Sequence, residues 1–420
     1  MIRSVSLRLA LQATYPMRIL WVKVGGLIPP DTGGKIRSYN ILLELAKRHA
    51  VTFFSFYAAH ENDLHTNLDR SFRRLVLIPL DLPSARGPRE LLDYSASLLS
   101  REPYSLTKYC RRTVREKLQT LLQEEKHDVI LCDFLVTAGV IPWDWPCPKV
   151  LFSHNVETMI WRRYYEVAKN PLWKAVAWRE WSRMAVAERK YLQRADHVIA
   201  VSEEDRNTFA KFMDPRRLTV VPTGADTEFF RPSREAEIPH SLVFTGSMDW
   251  LPNEDGIFYF ATEILPLIQR QIPDVTLFVV GRKPSRHLQN LADRVPSIQI
   301  TGWVEDVRPY LARSAVCIVP LRIGGGTRLK IFEAMSMAKP VVSTSIGAEG
   351  LPVKNNEHIV LADNPTCFAD STVRLLHDAS RREQLGRAAR HLVEENYSWA
   401  TVSRYFALAL EGVVDQAVKE

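Results

Sequence analysis

The chain has 420 residues, 46% hydrophobic and 25% charged, which supplies apolar side chain for two large cores and excludes a fibrous or low-complexity protein. Its net charge of +7 comes from the first half. Residues 1–220 hold 34 Lys and Arg against 24 Asp and Glu (+10), leaving 21 against 24 (−3) for the remainder. That asymmetry predicts an acidic partner for the N-terminal half, and no recognisable nucleic-acid module is present, so nucleic acid is not expected. Five scattered cysteines without a CxxC pair point to a reducing, cytoplasmic setting, and they are assigned neither metal nor redox chemistry. No run of 18 apolar residues occurs, so no membrane-spanning helix is expected.

Residues 1–16 are read as a disordered extension and a poor signal peptide, because they lack a long apolar segment. From Met17 onward strand-like and helix-like runs alternate. Strands are predicted at 17–24, 50–57, 74–80, 128–133, 149–153, 197–201 and 218–221. Helices are predicted at 35–49, 88–100 and 111–125, through a long region 156–195, and from Glu203. Pro222-Thr223-Gly224 and the polar run 231–234 read as a linker, after which the alternation restarts with a strand at 241–245. The pattern predicts an α/β protein of two doubly wound, Rossmann-like domains, 17–224 and 225–399, with ligands bound outside the carboxyl ends of the strands in a cleft between them.

The richest stretch is GGGTRLKIFEAMSMAKPVVSTSIGAEGL, from Gly324 to Leu351. An apolar strand, 315–321, runs into bare glycine backbone, and Thr327 is the expected N-cap of a buried helix with Arg328 and Lys330 in its first turn. Free N–H groups, a helix dipole and two cations at one point make a phosphate or diphosphate site. In the N-terminal half, Gly33 and Gly34 before a helix bearing Lys35 and Arg37 form a second candidate anion site. Asp133 and His154 each fall at a predicted strand end. Asp133 reads equally as an acceptor-side group or as a turn or cap residue.

The ordered segments FTGSMDWLPNEDG, VTLFVVGRKP, IQITGWVEDVRPYL and the glycine-run stretch resemble the GT-B glycosyltransferases, in particular retaining family 4, and most of all sugar transferases of bacterial exopolysaccharide synthesis. The resemblance implies transfer of a sugar from a nucleotide-diphosphate donor to a saccharide or lipid-linked acceptor. It assigns Arg328 and Lys330 to the donor diphosphate, Glu333 to the ribose, Gly246 to close approach of the diphosphate, and Val304 to the base. His154 corresponds to an active-site histidine that orients the donor, and the Gly33-Gly34 loop to one facing donor and acceptor. Gly325 stands where many members carry a second glutamate, so backbone amides of Gly325, Gly326 and Thr327 are expected to hold the sugar. Tyr397-Ser398-Trp399 resembles the point after which the last helix, 400–420, crosses back to the first domain.

No Asp-x-Asp triplet occurs, so a metal-independent reaction without cofactor is expected, with protein cations stabilising the leaving diphosphate. A nucleotide-sugar epimerase of the same fold and a non-catalytic binder are the alternatives. Between Trp161 and Arg194 lie nine Lys and Arg, three acids and four tryptophans. That mixture suits peripheral contact with the inner face of an anionic membrane, or equally a covering helix whose tryptophans pack inward.

Overall fold

The computed structural model describes residues 16–30, 32–59, 72–83, 87–168, 170–233, 235–323 and 329–419. It divides into two compact units, one of residues up to Val221 together with those from Ser403, the other Pro222–Val402.

The first unit contains β1 (Arg18–Val24), α1 (Gly33–Ala46), β2 (Ala50–Ala58), β3 (Arg74–Leu80), α2 (Pro88–Ser97), α3 (Tyr104–Thr107), α4 (Arg112–Glu124) and β4 (Val129–Asp133). A 3-10 turn, Leu135–Val140, leads to β5 (Lys149–Phe152), α5 (Glu157–Val167), α6 (Pro171–Arg194), β6 (His197–Ala200), α7 (Glu203–Phe209) and β7 (Leu218–Val220). The strands form one parallel sheet, ordered β3-β2-β1-β4-β5-β6-β7. Its central strands are almost uninterrupted apolar runs because helices cover both faces, and Ile19 through Val22 and Val129 through Cys132 are fully buried. The helices contribute apolar stripes at helical spacing, as with Val114, Leu118, Leu121 and Leu122 of α4.

The expected helical region 156–195 consists of two helices. Asn170 caps α6 by accepting from the N–H groups of Leu172 and Trp173, and Pro171 occupies the first helical position, where its missing N–H costs nothing. The break follows from that Asn-Pro pair.

The second unit repeats the plan: β8 (Ser241–Thr245), α8 (Leu251–Tyr259), α9 (Leu265–Gln269), β9 (Thr276–Val280), α10 (Arg286–Arg294), β10 (Ile298–Gly302), α11 (Arg308–Arg313), β11 (Val316–Val319), α12 (Leu329–Ser336), β12 (Val341–Ser343), β13 (Val360–Leu361), α13 (Pro365–His377) and α14 (Ala379–Asn396). Its parallel sheet is ordered β10-β9-β8-β11-β12-β13. The two-residue β13 went unanticipated because so short a run carries no periodicity. Its chain ends are zipped together: Ala225 bridges Ser398, with Ala225 N–H on Tyr397 O at 2.7 Å and Trp399 N–H on Ala225 O at 3.2 Å. The last helix, α15 (Trp399–Lys419), starts here, and its residues from Ser403 belong to the first unit.

In both sheets the first strand is flanked by the second and the fourth, so strand order reverses beside it. The carboxyl ends of β1 and β4, and of β8 and β11, are therefore the switch points where such sheets bind ligands.

Candidate active site

At the first unit's switch point, register sets Lys23 of β1 beside Asp133 of β4. Asp133 is fully buried. Its Oδ2 accepts from Trp21 Nε1 (2.9 Å), Ser38 Oγ (2.7 Å) and the Lys23 ammonium (3.0 Å), while Oδ1 lies 2.6 Å from His154 Nε2. Burial alone would raise the Asp133 pKa; Lys23, His154 and the Ser38 hydroxyl outweigh it and hold the carboxyl well below the usual range. Burial in turn lowers the Lys23 pKa, against the attraction of Asp133.

His154 follows β5 and is 3% exposed. Arg37 of α1 donates to its Nδ1 at 2.9 Å, so the ring is the neutral tautomer with its proton on Nε2, directed at Asp133. Burial, only partly offset by Asp133, lowers its pKa to about 3. Arg37 is itself buried, which brings its pKa down to about 9 and leaves it protonated at neutral pH. Both ring nitrogens are thus committed within the protein. Of the two predicted cations on α1, Arg37 is turned inward and Lys35 is half-buried in the first turn, its N–H on the Thr32 cap at 3.4 Å.

Phe134 completes this cluster. It has φ 69°, its ring stacks on His154 at a centroid distance of 3.7 Å, and the Lys23 ammonium lies 4.5 Å from its centroid. A Cβ on Gly34 would stand 2.3 Å from that ring, so the loop approaches Phe134 only because residue 34 has no side chain. Trp21, Lys23, Ser38 and Phe134 escaped sequence reasoning: each reads as an ordinary strand, helix or loop residue until the sheet brings it to Asp133.

At the second unit's switch point, Gly246 follows β8 directly with φ 151°. The positive φ favours glycine, and a Cβ there, 2.6 Å from Lys330 Nζ and 2.8 Å from Asn253 Nδ2, would displace the tips of both side chains. Lys330, in the first turn of α12, donates to Asn253 Oδ1 at 2.8 Å and sits 3.9 Å from the Phe244 ring centroid. Asn253 is tied by its own amide to Ser247 O at 2.8 Å. The ammonium is thereby fixed against bare backbone. Glu333, three residues on and half-buried, has its pKa raised to about 7 by burial, opposed by Lys330.

Arg282, after β9, donates to Ser247 Oγ at 2.9 Å and brings a further guanidinium beside the Gly246 loop. Val304 is half-buried and packs against the second unit's core, while its neighbour Trp303 is 72% exposed. Gly325, Gly326, Thr327 and Arg328 lie outside the described residues. No group of three or more His, Cys, Asp or Glu among the described residues could hold a metal ion, and no helix among them is long and apolar enough to cross a membrane.

Residues 32–229 match the family model "Glycosyltransferase Family 4", and residues 239–378 match "Glycosyl transferases group 1". A GDP-mannose-dependent alpha-(1-6)-phosphatidylinositol monomannoside mannosyltransferase of Mycobacterium tuberculosis is 27% identical over 262 residues, 55% of this chain and 66% of that protein. A UDP-Gal:alpha-D-GlcNAc-diphosphoundecaprenol alpha-1,3-galactosyltransferase of Escherichia coli is 25% identical over 200 residues, 43% of this chain and 51% of that protein. The matches span between 42% and 67% of the length of such curated relatives. Among solved structures, sucrose-phosphate synthase of Thermosynechococcus elongatus superposes with a TM-score of 0.72 at 18% identity, covering 95% of this chain and all of that one. With both units matched in order and each built as a parallel, doubly wound sheet, the chain belongs to the glycosyltransferases of the GT-B fold.

Proposed function

We propose that the protein transfers a sugar, with retention of anomeric configuration and without a metal, from a nucleotide-diphosphate sugar to a hydroxyl of a saccharide or lipid-linked saccharide in cell-surface polysaccharide synthesis. The observation that carries this is the Lys330 ammonium held against Gly246 at the second unit's switch point. A diphosphate leaving group gains negative charge as the glycosidic bond breaks, and a cation fixed beforehand stabilises that charge without reorganising. Arg328 shares this work, Glu333 binds the ribose, Val304 meets the base, and the backbone of Gly325, Gly326 and Thr327 holds the sugar.

In the first unit, Gly33, Gly34 and Lys35 serve the donor phosphates and acceptor. His154, Arg37 and Asp133 fix the geometry of that loop through the buried network. The two relatives' names, one specifying a phosphatidylinositol mannoside and the other a diphosphoundecaprenol acceptor, support a lipid-linked acceptor here. The protein would then work in the cytoplasm, peripherally at the inner membrane face.

The test is a panel of uridine, guanosine and adenosine diphosphate sugars with a lipid-diphosphate saccharide acceptor, following nucleoside diphosphate release in the presence of EDTA. Lys330→Ala should lower kcat/KM by about 100- to 1,000-fold with an unchanged melting temperature. Near-normal turnover in that variant would remove Lys330 from the mechanism. A new nucleotide sugar formed without acceptor would identify an epimerase instead, and the anomeric proton of the product reports retention or inversion.

A further inference from the structure

The excess of Lys and Arg over Asp and Glu in residues 1–220 predicts an acidic partner, and three of those cations meet well away from the strand ends described above. A recess of about 280 Å³ opens on the flank of the first unit between α4, α6 and the stretch 138–143 that closes the 3-10 turn. Arg115 of α4 and Lys190 and Arg194 of α6 stand around it. Helix α6 leads from here into the start of β6, so Lys190 and Arg194 lie toward the amino ends of the strands, whereas Asp133 and His154 lie at carboxyl ends.

The floor of the recess is fixed. Val140, Trp143 and Tyr191 are buried, the Trp143 indole N–H is bonded to Ala138 O at 2.9 Å, and its ring lies 5.7 Å from that of Tyr191. The rim is charged. Arg115 donates to Gly139 O at 2.9 Å and to Cys110 Sγ at 2.6 Å, and burial raises the Cys110 pKa, so both of these partners are uncharged and leave the guanidinium its full charge. Lys190 pairs with Glu102 at 2.6 Å and Arg194 with Asp144 at 2.8 Å, but the Asp144 carboxylate is 96% exposed, and so solvated a pair is worth little. Three cations thus stand against two acids. The carbonyls of Gln193 and Ala195 at the end of α6 accept from Arg217, which offsets the negative end of that helix's dipole.

We propose that this recess binds a phosphate monoester of about hexose size, its phosphate between Arg115, Lys190 and Arg194 and its ring against Trp143 and Tyr191. Size limits the occupant. A volume of about 280 Å³ lies at the lower end for small-molecule pockets and admits one ring with its phosphate, but no dinucleotide or polymer segment. Charge selects the head group. Cations from two helices approach from different sides, which suits a dianion with oxygens in three directions, whereas a planar carboxylate would engage one guanidinium fork and leave the other cations unused. The aromatic edges of the floor meet the C–H face of a sugar ring. This site is separate from the donor site and stands whether or not the donor reading holds.

The experiment measures binding to the full chain by thermal shift and titration calorimetry, using glucose 1-phosphate, mannose 1-phosphate and glucose 6-phosphate, with glucose, glucuronate and inorganic phosphate alongside. At least one sugar phosphate should bind the wild type and raise its melting temperature. Lys330→Ala, which removes the cation at the second unit's switch point, should bind it equally. Arg115→Gln and Arg194→Gln, each at an exposed position, should weaken that binding about tenfold while the melting temperature without ligand stays unchanged. Failure of all three sugar phosphates to bind would overturn the proposal. So would binding that Lys330→Ala abolishes and Arg194→Gln leaves intact, since the ligand would then occupy the donor site. Equal affinity for inorganic phosphate would overturn the contact of the ring with Trp143 and Tyr191, and tighter binding of glucuronate would overturn the choice of phosphate.

Discussion

His154 is held neutral by its surroundings, and this has a measurable cost in acid. With its folded-state pKa lowered to about 3, the unfolded chain takes up a proton below about pH 6.5 that the folded chain refuses. Its contribution is therefore complete above that pH and is lost on the way down, at about 1.4 kcal/mol per pH unit. Glu333 acts in the opposite sense: its pKa is raised to about 7, so the folded chain keeps a proton the unfolded one releases, and stability falls as pH rises through that window. A difference measurement separates the two. Glutamine at residue 154 can donate to Asp133 and accept from Arg37 but does not titrate. Between pH 6.5 and 5 the wild type should lose about 2 kcal/mol relative to His154→Gln in urea unfolding. A gap that does not change with pH would contradict the neutral, doubly bonded ring.

At the scale of elements, α5 depends on a side chain from its neighbour. Its own cap residue, Val156, offers no side-chain acceptor, and the Glu188 carboxylate of α6 supplies one, taking the N–H groups of Glu157 at 2.7 Å and Thr158 at 3.3 Å. That same carboxylate, after burial, raises the Glu157 pKa to about 7. Glu188→Ala should cost about 1–3 kcal/mol in chemical unfolding, because two N–H groups lose their partner, and should lower the Glu157 pKa only in part, since its burial remains. Unaltered stability would show that water caps α5 equally well. The contact also marks the limit of sequence reading. Arg74–Leu80 and Ser241–Thr245 could be read to the residue because each is an apolar run of strand length with charged or turn residues beside it, too short for a buried helix. Lys330 and Glu333 were legible as a pair on one helix face, and Gly246 as a glycine at a strand end. Asn253, which aims Lys330 from 77 positions away, was not, and neither was Lys23 beneath Asp133.

At the scale of the molecule, α15 is a single helix whose two ends serve different cores. Trp399 is buried in the second unit, packed so closely on Gly224 that a Cβ there would lie 2.4 Å from its ring. Two turns on, fully buried Phe406 stacks on Trp21 of β1 at 5.6 Å and meets the Phe152 ring of β5 edge-on at 4.9 Å. Trp21 in turn donates to Asp133, so the C-terminal helix buttresses the strand ends that carry the first unit's network. Phe406→Ala leaves a cavity against two central strands and should cost about 3–5 kcal/mol, confined to the first unit. Calorimetry should then show the first unit's transition moved to lower temperature while the second unit's stays in place, still responding to added nucleoside diphosphate by mass action. Loss of both transitions together would mean that the units unfold as one cooperative body, and an unmoved first transition would mean that Phe406 carries none of that core's stability.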